Sequence, residues 1–128
     1  MGCVLLINDN ESITNSTFGM LEGMGWKVYV ASSRKAALGT CISRRPSLAV
    51  VDIEMGGGAG LEMISTIRRT DKKLFILAVT RGSQDDTLLR VANVCGASHH
   101  VIGPVSEAKL FAAIEAGRTS GFFQAGTQ

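Results

Sequence analysis

Apolar positions along this 128-residue chain follow two alternating rhythms. Continuous apolar runs stand at 3–7 (CVLLI), 26–31 (WKVYVA), 47–53 (SLAVVDI), 74–80 (LFILAVT) and 99–102 (HHVI). Between them apolar residues recur at helical spacing, as in Ile13, Thr17, Met20, Leu21 and Met24, or in Leu61, Ile64 and Ile67. A repeat of three to four residues lines one face of a helix, whereas a short unbroken run reads as a strand buried on both faces. The pattern predicts a strand–helix unit repeated five times, with later helices over 32–45, 61–69, 83–96 and 106–118. The punctuation agrees: Gly25 ends the first helix, a serine caps the second and Pro46 closes it, and acids open the fourth before Gly96 stops it. Strands apolar on both faces belong to a parallel sheet covered by helices on both sides. The remaining TSGFFQAGTQ sets Phe122 and Phe123 among small and polar residues. One domain over 1–118 and a flexible tail over 119–128 are expected.

In an open parallel sheet, sites form beyond the carboxyl ends of the strands. The first strand ends in Asn8-Asp9-Asn10, the second in unreactive serines, the third at Asp52, the fourth at Thr80-Arg81 and the fifth at Gly103-Pro104. Asp9 and Asp52 therefore converge on one edge of the sheet with Thr80 close by. Two carboxylates at adjacent strand ends suit a hard divalent cation that keeps several waters, which points to Mg²⁺. Asp9 alone fits a helix cap equally well. Asp52 comes directly off an apolar strand, where a carboxylate is costly to bury unless it is paired or binds a cation. Arg81 leaves the fourth strand at the rim of this pocket and is long enough to fold over Asp52 as a planar fork of donors. Pointing to solvent is its equally open alternative. The glycine-rich MGGGAG (55–60) fits no nucleotide fingerprint, because its glycines follow the third strand and no Gly-Lys-Ser/Thr is present. It reads as a flexible turn.

Composition narrows the field only a little. With 45% hydrophobic and 19% charged residues the chain is of the folded globular kind. A formal net charge of +2 is too small to argue for direct nucleic-acid binding. No apolar run approaches the ~18 residues that span a bilayer, so no membrane is implicated. Cys3, Cys41 and Cys95 form no CxxC and no metal-ligand spacing, and reduced thiols in a cytoplasmic protein are the expectation.

Taken in order, these anchors resemble the receiver domain of two-component response regulators, over nearly the whole chain from VLLINDNES to about Gly117. Asn8 and Asp9 match the acidic pair after strand one, and Asp52 in VVDIEMGGGAGLEMI matches the phosphoacceptor aspartate. Thr80 in ILAVT matches the Thr or Ser ending strand four, and GASHHVIGPVSEAKLFAAI resembles the Gly-Ala, aromatic, Lys-Pro segment. The resemblance implies a doubly wound, flavodoxin-like sheet in the order 2-1-3-4-5 with five helices. It implies phosphoryl transfer to Asp52 from a histidine kinase, a phosphotransfer protein or a small donor, with Mg²⁺ held by Asp9, Asp52 and the backbone carbonyl of Glu54, and Asn8 acting through water. Thr80 would bond a phosphoryl oxygen and His100, at the place of the family's rotating aromatic, would sense its movement. The chain would be a signalling phosphoacceptor, with self-catalysed transfer at most, rather than an enzyme. An output partner or domain, or a second copy in a homodimer, would dock on helix four, strand five and helix five.

The chain also departs from the family pattern. Gly103 stands where a lysine contacts the phosphoryl group, Asn8 replaces an acid, Gly56 replaces the usual proline, and Arg81 stands where a small residue is usual. Losing one acid and one lysine leaves Asp9 and Asp52 with a formal −2, as in the usual pocket. The missing lysine supports an alternative reading, a pseudo-receiver that binds partners without phosphate. The family resemblance further implies a cis bond at Gly103–Pro104. An Arg81 folded inward would crowd the attacking water and prolong a phosphoryl-aspartate.

Overall fold

The computed structural model describes residues 2–82 and 86–123. Five strands, β1 (Cys3–Ile7), β2 (Lys27–Ala31), β3 (Leu48–Asp52), β4 (Phe75–Val79) and β5 (His99–Val101), alternate with five helices. The helices are α1 (Glu11–Gly23), α2 (Arg34–Arg44), α3 (Ala59–Thr70), α4 (Asp86–Cys95) and α5 (Glu107–Thr119). The strands form one parallel sheet in the order β2-β1-β3-β4-β5, as expected. The first three residues of the expected fourth helix, Ser83–Asp85, lie outside the described residues.

Alternation along each strand sends side chains to opposite layers. Leu5, Ile7, Ala49, Val51, Ile76 and Ala78 face α2, α3 and α4, where Ala37, Cys41, Met63, Ile64, Ile67 and Ala92 complete one core. Val4, Leu6, Leu48, Val50, Phe75 and Leu77 face the other way, toward Leu21 of α1 and Leu110 and Ala113 of α5. Two-sided burial is why the three central strands read as unbroken apolar runs, and why β5 at the edge needs only Val101 buried.

Local signals set the ends. Asn10 caps α1 by accepting from the Ile13 N–H, Ser33 caps α2 through Ala36, and Ser106 caps α5 through Lys109. The MGGGAG segment forms a turn, as expected: Gly56–Gly58 make a single 3-10 turn that leads into α3, with Gly57 and Gly58 at φ 69° and 74°. Gly60 then lets α3 approach so closely that a Cβ there would overlap the Asp52 carbonyl oxygen. At the far end of α3, Arg68 forks onto the Gly96 carbonyl (3.0 and 2.8 Å) and donates to the Ser98 hydroxyl (3.1 Å), tying α3 to the α4–β5 connection.

The expected separation of a tail at residue 119 needs correcting as far as residue 123. Phe123 is buried, with its ring edge-on to Phe75 (5.4 Å) and Trp26 (5.7 Å), and Phe122 tilts against Phe75 at 4.8 Å. Phe123 closes the edge of the α1/α5 core, because an aromatic ring next to an apolar layer gains by leaving water, whereas Phe122 stays partly exposed. Residues 124–128 of the expected tail lie outside the described residues.

Candidate functional site

Parallel register carries the ends of β1, β3 and β4 to one edge of the sheet. Ile7 pairs with Val51, and Asp52 with Val79, so Asn8, Asp9, Asp52, Thr80 and Arg81 share that edge. Asn8, Asp52 and Thr80 are buried there, whereas the Asp9 side chain is half exposed. Asp9 is not the cap of α1, which is Asn10. Asn8 instead shapes the turn, its Oδ1 accepting from the Asn10 N–H at 2.9 Å.

The Asp52 carboxylate meets two groups that satisfy it. Oδ1 accepts from the Glu54 N–H at 2.8 Å, and Oδ2 accepts from Arg81 Nε at 2.5 Å. Arg81 Nη2 reaches on to Asp9 Oδ1 (2.7 Å) and Asn8 Oδ1 (3.3 Å), so one guanidinium bridges three side chains. Of the two orientations open to Arg81 in the sequence, the inward one is found. A buried carboxylate needs such a partner, since stranding one costs several kcal/mol. Burial opposes the charge on Arg81, but its hydrogen bonds to Asp52 and Asp9 outweigh that and raise its pKa above the ordinary arginine value. The Glu54 carboxylate completes the ring by accepting from the Arg81 backbone N–H. That side-chain role was not anticipated, although a carboxylate two residues beyond Asp52 on the same loop was the available signal. Asp9 and Asp52 are the two acids expected at this edge, and one guanidinium pairs with both.

Thr80 Oγ1 accepts from the Gly103 N–H at 3.1 Å and, at 3.4 Å, from the Gly82 N–H. The Gly103–Pro104 bond is cis, as expected. Gly103 is buried, and a Cβ on it would overlap the Thr80 carbonyl oxygen. Beside Asp52 lies a cavity of about 260 Å³, reaching Ser12, Ser16 and Thr17 of α1 and Pro104 and Val105. His100 lies elsewhere: exposed, stacked on His99 at 5.9 Å, it lines a 520 Å³ cleft between α4 and β5.

The donor set can be tested against Mg²⁺. Asp9, Asp52, the Asn8 amide and the Glu54 carbonyl offer only hard oxygens, which fit that ion. Yet Arg81 covers one oxygen of each of the first three, and among the described residues no group of three His, Cys, Asp or Glu is gathered to hold a metal. The oxygens are of the right kind for that ion, and here the guanidinium occupies them. Cys3 and Cys41 are free thiols, their pKa values pushed up by burial.

Residues 4–115 match the response regulator receiver domain family. The chain is 33% identical over 116 residues to transcriptional regulatory protein AfsQ1 of Streptomyces coelicolor, covering 91% of this chain and 51% of that one. It is 28% identical to transcriptional regulatory protein CpxR of Escherichia coli, covering 91% and 49%. The chain therefore spans about half the length of these relatives. Among solved structures, a CheY-like receiver domain protein of Methanospirillum hungatei superposes with a TM-score of 0.83 at 22% identity, covering 94% of this chain and 95% of that one. Chemotaxis protein CheY4 of Vibrio cholerae gives 0.81 at 22% identity, covering 91% and 98%. Among the described residues no helix is long and apolar enough to cross a membrane.

Proposed function

Because the chain belongs to the response regulator receiver domains of two-component signalling, we propose that Asp52 is its phosphoacceptor. The observation that carries this is the Asp52 carboxylate at the end of β3, the one buried carboxylate among the described residues, with a cavity opening beside it. An Asp52 carboxylate oxygen attacks the phosphorus of a phosphohistidine on a histidine kinase or phosphotransfer protein, or of a small acyl phosphate. The new P–O bond forms as the donor's bond to phosphorus breaks, and the leaving group departs with the electron pair. Asp9, Asp52 and the Glu54 carbonyl would hold Mg²⁺, with Asn8 reached through water; when bound, the ion neutralises charge on the transferring group. Thr80 has its hydroxyl proton to donate to a phosphoryl oxygen, and Arg81 offers a charged donor from above the pocket once the metal has left.

The pocket's output face is proposed to be α4, β5 and α5, where Val91, Val94 and Phe111 stand exposed. His100, in the cleft between α4 and β5, would report to this face rather than touch the pocket. A partner or output domain that docks there meets apolar side chains already in water.

Intact-mass measurement after incubation with Mg²⁺ and acetyl phosphate tests the proposal. One added phosphoryl group on the parent, and none on Asp52→Asn, is the expected pair of results; an unmodified parent rejects it. Once loaded and stripped of Mg²⁺ with a chelator, the parent should lose the group more slowly than Arg81→Ala, since the returning guanidinium crowds the water that would attack. A decay about tenfold faster in the variant matches the loss of one charge-assisted contact. Equal decay of the two proteins would make Arg81 a bystander to hydrolysis.

A further inference from the structure

We infer that the Arg81 guanidinium and Mg²⁺ are alternative occupants of one place, so that this receiver carries its own counter-cation and binds metal only when Arg81 swings out. The inference rests on the reading of Asp9 and Asp52 as the metal-holding carboxylates. One planar group hydrogen-bonds Asp52 Oδ2 at 2.5 Å, Asp9 Oδ1 at 2.7 Å and Asn8 Oδ1 at 3.3 Å. Mg²⁺ demands near-octahedral oxygens at about 2.0–2.1 Å and does not share them with N–H donors. Two cations at one set of oxygens would also repel. The occupants therefore exclude each other.

The position of Arg81 suits such an exchange. The Arg81 backbone N–H is fixed to the Glu54 carboxylate, so the main chain stays in place. The side chain is 31% exposed and enters from the rim, so its own torsions carry the guanidinium out to water. With Arg81 inward, two carboxylates (Asp9 and Asp52) face one positive charge; with Arg81 out they face solvent, or a divalent ion. Metal-free, the pocket is cross-linked and closed rather than held apart by repulsion. The cost of opening it is subtracted from the affinity for metal, because a site competent only part of the time binds in proportion to that fraction.

The test is Mg²⁺ titration of the isotope-labelled full chain, parent against Arg81→Ala and Arg81→Lys, followed by NMR at the Asp9, Glu54 and Gly82 amides and at the Arg81 Nε–H. Arg81→Ala should bind Mg²⁺ about tenfold more tightly or better, as a site freed of its competitor does. Arg81→Lys, a point charge without the fork, should fall between. In the parent, the Arg81 Nε–H signal should move to the position of a solvated arginine as Mg²⁺ saturates. Equal affinities of parent and Arg81→Ala, an Nε–H signal unmoved at saturation, or no Mg²⁺ binding by any variant would each overturn the inference. Metal exchange seen without uptake of phosphate from acetyl phosphate would instead sink the phosphoacceptor reading and leave the competition standing.

Discussion

Gly103→Lys, which writes the family's residue back into the chain, should destabilise the protein without restoring a phosphoryl contact. A Cβ at 103 would overlap the Thr80 carbonyl oxygen and lie 3.1 Å from the carbonyl carbon and 3.2 Å from the Arg81 Cα. All three are backbone atoms at the end of the central strand β4, which cannot rotate away as a side chain does. Forcing material into a packed interior costs about 1–3 kcal/mol, and here the upper end applies. For a domain of this size that lowers the melting temperature by roughly 10 °C. Since the conflict begins at Cβ, Gly103→Ala should lose nearly as much. Thermal denaturation of both variants against the parent decides it. A lysine variant as stable as the parent would mean that the β4 and β5 ends do not meet as closely as described.

The second large effect lies just beyond α5. Phe123→Ala removes a buried ring that touches both Phe75 and Trp26. Truncating a core phenylalanine costs about 3–5 kcal/mol, and this ring, at the edge of its layer and 9% exposed, should show the lower end, about 3 kcal/mol. Gly117 adds to the specificity of the fit, since a Cβ there would lie 2.7 Å from the Phe123 ring and 3.0 Å from that of Phe75. Urea denaturation measures the loss, and Trp26 emission should shift to the red as its neighbour is removed. Truncation after Arg118 should match or exceed the point variant. If instead both variants unfold at the parent's midpoint, the aromatic cluster contributes nothing and the domain ends with α5.

These two sites also mark where the sequence becomes hard to read. β1, β3 and β4 were legible because a strand covered on both faces must be apolar at every position. β5 was legible mainly from its turn residues: HHV at a sheet edge needs one buried side chain. Asp52 and Thr80 could be placed by counting strand ends. The direction of Arg81 could not, because a side chain leaving a strand end is held by no periodicity and depends on charges brought from positions 9 and 52. The contact of Gly103 with the Thr80 carbonyl joins residues 23 apart through sheet registration, to which no local pattern refers. Phe123 was hidden by its neighbours: small polar residues look like a tail, and the paired aromatics were the sign that they do not all behave as one.

The hydroxyl of Thr80 has a mechanical consequence. A threonine oxygen accepts two hydrogen bonds and donates one. Its acceptor places are engaged by the amides of Gly82 and Gly103, from the segments that follow β4 and β5. Any rotation of Thr80 toward a group on Asp52 pulls its oxygen from the buried Gly103 amide, which has to follow or be left without a partner. The two segments are thus latched by one rotor, and the latch can be timed. Deuterium uptake at the Gly103 amide counts how often it opens, residue by residue, in a protein with no chromophore near the site.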